Sequence, residues 1–275
     1  MNTIAVLLTC HNRREKTLNC LSNLYNTAIP EGYSYDVYLV DDSSTDGTGL
    51  VVRTKFPSVN IIQGDGNLFW NRGMHLAWET AAKTKNYDFY IWLNDDTMLY
   101  PNALQIILNA AQTTNATSII CGTTRSAKTK RATYGGRKKQ DSQILIPNGD
   151  LQECSIINGN FTLIPRIIYQ SIGNLDFVFR HAIGDHDYGL RAKKAGFKIY
   201  VASEYIGTCE PHQSLPKWCL AETPIIERLR VLYSPLGNAE PFPFFIYEKR
   251  HWGLLTAVKH FTAINLRALF PQLWK

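Results

Sequence analysis

Patterned cysteines are missing from this chain. Its 275 residues hold six cysteines, at positions 10, 20, 121, 154, 209 and 219, with no CxxC pair and no dense framework. That excludes a disulfide scaffold and a zinc-finger spacing, and it makes a reducing cytoplasm the default compartment. Long hydrophobic runs are missing too, and no stretch reaches the length of a membrane span. The short apolar run Ile4–Leu8 has no basic leader, so it reads as a strand rather than a signal peptide. Charged residues make up only 19% of the chain, with a net charge of +6. The mild surplus suits anionic partners such as nucleotide phosphates or a membrane surface. Without a long basic run or an RNA-binding aromatic motif, it does not argue for nucleic acid. No internal repeat or low-complexity tract is visible. What is present is 45% hydrophobic residues, enough for a sizeable core in one large or two small domains.

The chain is organised around Tyr90-Ile91-Trp92-Leu93-Asn94-Asp95-Asp96, an apolar strand running into two adjacent carboxylates. Ionised carboxylates are costly to bury unpaired. Either the strand stops at a cleft where the acids meet a cation, a divalent metal on phosphates being the natural candidate, or it ends in a polar turn before the next helix.

The pattern around it alternates. Thr3–Thr9, Tyr35–Val40, Val59–Ile62 and Tyr87–Leu93 read as strands. Between them, Arg13–Asn26, a stretch ending near Phe56, and Asn71–Thr84 read as helices. Such alternation implies right-handed βαβ units and a parallel sheet, whose ligands sit outside the carboxyl ends of the strands. Those ends carry Thr9-Cys10-His11-Asn12, Asp41-Asp42, Gly64-Asp65-Gly66 and Asn94-Asp95-Asp96. One acidic loop is ordinary surface; four polar ends on one edge indicate a site. Further on, Pro101–Thr113 reads as a helix and Ser118–Cys121 as a short strand. Residues 123–150 form a basic, glycine-containing, mobile or hairpin-like excursion, either a solvated charged loop or an anion-facing lid or acceptor contact. Cys154–Ile164 is strand-like but broken at Asn158-Gly159-Asn160, a break that suggests backbone bending near a ligand. A helix follows from Asp185 in the N-cap position to Gly196 at its C-terminal end, then a strand over Phe197–Val201. From Tyr247 onward the chain reads as helical, with a wide apolar face and a cationic stripe, suited to an anionic membrane or to packing on the core.

In order, VLLTCHNRREKTLNCLSNL, VDDSSTDGT, WLNDD and GDHDYGLRAKKAG resemble the successive motifs of family 2 glycosyltransferases with the GT-A fold, over residues 1–212. GDGNLFWNRGMHLAW is similar to a segment of bacterial rhamnosyltransferase-like members. The resemblance implies an α/β fold with a Rossmann-like, mostly parallel central sheet and flanking helices. It implies a nucleotide-sugar-binding half (1–121), an acceptor and catalytic half of the same domain (122–212), and a C-terminal helical extension (213–275).

It also implies roles. Thr9 and His11 would line the base pocket, although His11 also reads as a polar end to its strand. Asp42 would bond base or ribose, Asp95 would contact sugar or ribose, and Arg72 would reach phosphate or lie as an exposed helix arginine. Asp96 would be the main ligand of a divalent Mn2+ or Mg2+, which neutralises the charge growing on the leaving nucleoside diphosphate. The acidic motif of the family is usually written DxD; here its first position is Asn94, so a metal-free variant stays open. His212 would complete the metal site or be structural. Asp185 would be the general base of an inverting transfer, with Asp187 as its rival. Asn158, Gly159 and Asp187 would stand on the acceptor side.

The activity expected is transfer from a nucleotide-diphospho-sugar to a glycan or lipid-linked acceptor. The setting would be synthesis of a surface polysaccharide such as O-antigen or capsule, in the cytoplasm, with peripheral membrane association through 247–275. Two other classes compete. A catalytically silent nucleotide-sugar-binding subunit is disfavoured by Asp42, Asp96 and Asp185. A nucleotidyltransferase is disfavoured because the first strand ends in TCHNRRE, without a glycine-rich phosphate loop.

Overall fold

The computed structural model describes residues 1–139, 143–211 and 215–273. The apolar run near the start forms β1 (Asn2–Cys10), with Ile4–Leu8 fully buried. Its side chains alternate, so Ile4, Val6 and Leu8 join one core cluster while Ala5 and Leu7 join the other. A strand buried on both faces belongs in the middle of a sheet covered by helices. β2 (Tyr33–Asp41) and β4 (Phe89–Leu93) flank β1 in parallel, and β3 (Val59–Gln63) pairs in parallel with β2.

Beyond β4 the sheet becomes mixed. β9 (Phe161–Pro165) lies antiparallel between β4 and β6 (Ser118–Arg125). β10 (Lys198–Thr208) runs parallel to β6, and β5 (Met98–Leu99) closes that edge antiparallel to β10. The main path is β3-β2-β1-β4-β9-β6-β10-β5. The boundary expected after residue 121 falls inside β6, so both halves share one sheet.

Helices cover both faces. α1 (Arg14–Tyr25), α2 (Thr48–Lys55) and α4 (Ala103–Thr113) pack on one side. α3 (Phe69–Thr84), α5 (Arg166–Ile172) and α6 (Gly184–Lys194) pack on the other. Trp78 of α3 anchors the second layer, with ring centroids of Tyr90, Trp92, Tyr169 and Tyr188 at 5.0–5.6 Å.

Two local expectations take definite form and a third changes. Of the run 154–164, only residues 161–164 join the sheet as a continuous strand, within β9, because the Asn158 side chain accepts the Asn160 N–H and turns the backbone first. The basic excursion folds back as β7 (Ala132–Tyr134), antiparallel to β6, and β8 (Gln152–Glu153) pairs with β10. Asp185 is not the N-cap of its helix. Ile183 is, in a left-handed conformation (φ 63°), and Asp185 lies in the first turn.

The C-terminal region is helical: α7 (Ile225–Leu232), α8 (Pro241–Trp252) and α9 (Leu254–Leu269). The single helix expected from Tyr247 is broken at Gly253, whose φ of 90° cannot continue a helix, and α8 begins earlier, with proline in its first turn. Tyr247 and Phe244 of α8 pack on Phe179 and Ile183, next to the start of α6. No helix among the described residues is long and apolar enough to cross a membrane.

Candidate active site

The carboxyl ends of β1, β2 and β4 meet the start of α3 and the start of α6 around one cavity of about 850 Å³. Thr9, His11, Asp42, Asn94, Asp95 and Asp96 line it, as do Asn158, Gly159 and Asp185. Nine of the residues singled out from the sequence are thus brought together.

The Asp42 carboxylate is buried and accepts three backbone N–H groups, from Gly66 (2.7 Å), Leu68 (3.0 Å) and Phe69 (3.1 Å). These bonds set the loop leading into α3. Of the roughly four lone-pair positions on a carboxylate, about one is left for a ring N–H or a ribose hydroxyl. His11 is held at both ring nitrogens, Nδ1 at 2.5 Å from the Asp42 carbonyl and Nε2 at 3.1 Å from the Asn12 amide. That pairing fits a neutral imidazole donating from Nδ1 and accepting at Nε2. Asp46 accepts the backbone N–H of both Arg14 and Thr48, tying the starts of α1 and α2 together.

The acid pair is not bare. Arg13, at the N-cap of α1, reaches both acids: Nη1 is 3.0 Å from Asp95 Oδ1, and Nη2 bonds Asp96 Oδ2. Lys16 Nζ stands 3.8 Å from Asp96, and Thr17 Oγ1 donates to Asp95 at 3.3 Å. Burial pushes the Asp95 carboxyl up to about 7 against the pull of Arg13, with the Asp96 charge adding to the rise. Burial works to lower the Arg13 pKa, but the charges of Asp95 and Asp96 outweigh it and the guanidinium is raised. Asn94 accepts the indole N–H of Trp70 at 2.7 Å. The first position of the acidic motif is therefore spent on fixing an aromatic plate in the cavity wall.

A divalent ion at this place has one half-buried carboxylate open to the cavity, Asp96, with Asp95 buried behind it. Among the described residues no three His, Cys, Asp or Glu side chains converge to hold an ion by themselves. This donor set fits an ion completed by diphosphate oxygens and water, a common arrangement for Mg2+. His212 lies outside the described residues.

Asp185 faces the same cavity from the first turn of α6. Its Oδ2 accepts the Gly159 N–H at 2.9 Å, and its Oδ1 accepts the His186 N–H at 2.9 Å. Gly159 has no room for a side chain: a Cβ there would lie 2.2 Å from Trp70 Cζ2. The glycine lets the indole and the carboxylate approach the same peptide.

Two expected residues point elsewhere. Asp187 is two residues, about 200° of helical rotation, from Asp185 and faces the core instead of the acceptor side. It is fully buried, 2.8 Å from Arg191 Nε, 2.8 Å from Arg250 Nη1 and 2.9 Å from His251 Nε2. Burial raises its pKa, but the His251 bond and the charges of Arg191 and Arg250 outweigh it, and the carboxyl falls below its ordinary value. Arg72 is likewise about 200° round α3 from Trp70. Its Nε donates to the Phe177 carbonyl (2.9 Å) and its guanidinium lies 4.4 Å from the Phe177 ring, away from the cavity lining.

Sequence reasoning passed over Arg13, Trp70, Tyr134, Leu236 and Phe244, all of which line the cavity. Arg13 and Trp70 sit inside stretches already singled out. Leu236 and Phe244 come from the C-terminal region and carried no local signal.

The model of a family described as "Glycosyl transferase family 2" matches residues 5–173. No curated protein sequence matches the chain. Among solved structures, the chain is similar to the mannosyltransferase PcManGT from Pyrobaculum calidifontis in complex with GDP-Man and Mn2+ (16% identity, TM-score 0.53, 96% of this chain and 75% of that one). It is also similar to S. aureus TarS (12% identity, TM-score 0.55, 92% of this chain but only 44% of that one). The 1–349 portion of TarS in complex with UDP matches at 13% identity and TM-score 0.55, over 92% of this chain and 72% of that one. At these identities the likeness speaks to the fold, the mixed α/β GT-A architecture.

Proposed function

The chain belongs to glycosyl transferase family 2, and from that premise we propose that it is an inverting, metal-assisted transferase acting on a nucleoside-diphospho-sugar. The observation that carries the reading is the convergence of Asp95 and Asp96, at the end of β4, with Asp185, at the start of α6, on one cavity. The two sets of carboxylates have different surroundings and so different tasks.

In this reading the base and ribose lie along Thr9, His11 and Asp42. Asp96 holds a Mn2+ or Mg2+ ion, with Asp95 behind it. The ion supplies electrostatic stabilisation of the leaving diphosphate. Asp185 takes the proton of the acceptor hydroxyl as its oxygen attacks the anomeric carbon. The N–H groups of Gly159 and His186 fix the carboxylate's orientation. Asn158 and Gly159 border the acceptor, with Trp70 as a flat apolar wall beside it.

The acceptor is a glycan or lipid-linked saccharide of a surface polysaccharide, of the O-antigen or capsule type, used on the cytoplasmic side. Peripheral membrane association through 247–275 belongs to the same reading. Leu255, Val258, Leu266 and Leu269 are exposed along α9, while Lys249, Lys259 and Arg267 are exposed on α8 and α9. The only acid between Pro241 and Leu273 is Glu248, which is buried. An apolar stripe bordered by cations suits an anionic lipid surface.

The test is release of nucleoside diphosphate from a panel of UDP-, dTDP- and GDP-sugars, with and without Mn2+ or Mg2+. Asp185→Asn and Asp96→Ala are assayed beside the unaltered protein, with an acceptor extract supplied. One donor should turn over, and Asp185→Asn should slow transfer by about 10²–10⁴-fold, the usual contribution of a general base. A variant at Asp185 that transfers at the unaltered rate would refute the assignment.

A further inference from the structure

The acid pair already has a cation. Arg13 spans Asp95 and Asp96 with its two terminal nitrogens, and Lys16 stands behind Asp96. Two neighbouring carboxylates, one of them buried, repel each other and lose hydration, and a cation beside them relieves both costs. A guanidinium suits the task because its planar fork serves two oxygens at once.

A divalent ion on Asp96 would meet this guanidinium head on. Both compete for the same carboxylate, and they repel each other. Arg13 is free to yield in two respects. Its side chain is 36% exposed on the cavity lining, and its backbone, at φ −134°, lies before the helix rather than within it. A diphosphate gives it another anion to move to, since a guanidinium binds phosphate as well as carboxylate.

We propose that Arg13 is an exchangeable internal counter-ion. It holds Asp95 and Asp96 in the divalent ion's place while the cavity is empty, and it passes to the donor's diphosphate when donor and ion enter. This rests on the reading of the site as one for a nucleoside-diphospho-sugar. The consequence is a coupling between ion and nucleotide, which by linkage is felt equally by both. The nucleotide-free protein binds Mn2+ poorly because Arg13 must first be displaced.

The test is a titration of Mn2+ by electron paramagnetic resonance, using the full chain as it is and Arg13→Gln. Without nucleotide, Arg13→Gln should bind Mn2+ at least about tenfold more tightly, within the usual range of such couplings. The gain should vanish when Asp96→Ala is added. With UDP or GDP present, Mn2+ affinity should rise more for the unaltered protein than for Arg13→Gln, which has lost the group that moves to the diphosphate. Arg13→Lys keeps the charge but cannot bridge both acids, and it should fall between the two. It also decides the matter if Arg13→Gln does not fold. Equal nucleotide-free affinities, including no measurable binding by either protein, overturn the proposal. If neither protein binds any nucleoside diphosphate, the donor reading fails, while the nucleotide-free comparison still judges Arg13.

Discussion

Asp185 and Asp187 are two residues apart in one helix, and they should fail in opposite ways. Asp187→Asn removes the negative charge from a pocket that holds Arg191, Arg250 and His251 within 2.8–2.9 Å of its carboxylate. Breaking a buried ion pair by removing one partner typically costs about 3–5 kcal/mol. The low end applies here, because Arg250 keeps Asp176 at 2.6 Å and Arg191 keeps the carbonyls of Ile172 and Asn174. For a domain of this size about 3 kcal/mol corresponds to roughly 6–12 °C in Tm. The assay is thermal unfolding at pH 7, followed by a pH series. The folded-state pKa of Asp187 is depressed, so its contribution is complete above the unfolded value. It is lost as pH falls through the lower folded value. The unaltered protein should therefore lose stability in the acid range, below the ordinary carboxylate pKa, and Asp187→Asn should show a flatter acid limb. Asp185→Asn, whose carboxylate is half-buried and accepts the N–H groups of Gly159 and His186, should melt within about 2 °C of the unaltered protein. A Tm for Asp187→Asn within about 2 °C of the unaltered protein, or an unchanged acid limb, would refute the ion-cluster argument.

Two further outcomes follow from exposure and burial. Leu255→Glu with Val258→Glu changes two exposed side chains of α9 and leaves the packed ones alone, so the fold should persist while binding to anionic phospholipid vesicles drops by about tenfold or more. Cosedimentation measures it, and undiminished binding would remove α9 from the membrane. Truncation at residue 247 is a poor substitute, since it also deletes Tyr247, Arg250 and His251, which pack on Phe179 or bond Asp187. Burial raises all six thiols, and only Cys219 is half-exposed. A thiol reagent at pH 8 should thus modify at most Cys219 in the native protein and all six after unfolding; rapid reaction of two or more thiols would contradict it.

Much of the first half was legible because its signals are local. The two-sided burial of Ile4–Leu8, the spacing of strands and helices, and the polar residues at four strand ends all follow from period and position. The acid pair was visible as an apolar run that stops at two charges. Asp42 was visible as a site residue, but its three bonds to the loop before α3 were not, because they join residues 24 to 27 positions away. Arg72 and Asp187 lie off the cavity lining for one shared reason. Each lies in a stretch of functional residues, yet helical rotation turns it away from its neighbours.

The sequence by itself determined the alternating α/β order, the central parallel strands, the family, and the carboxylates that end β4 and begin α6. These depend on side-chain polarity and spacing along a few consecutive residues. Tertiary structure alone decided which of those groups share a cavity and which are used up. It gave Arg13 to the acid pair, Trp70 to Asn94, and Arg250 and His251 of α8 to Asp187. Such partnerships join residues 24 to 83 positions apart. Their existence depends on how packed layers bring distant charges within hydrogen-bond reach, which no local pattern encodes.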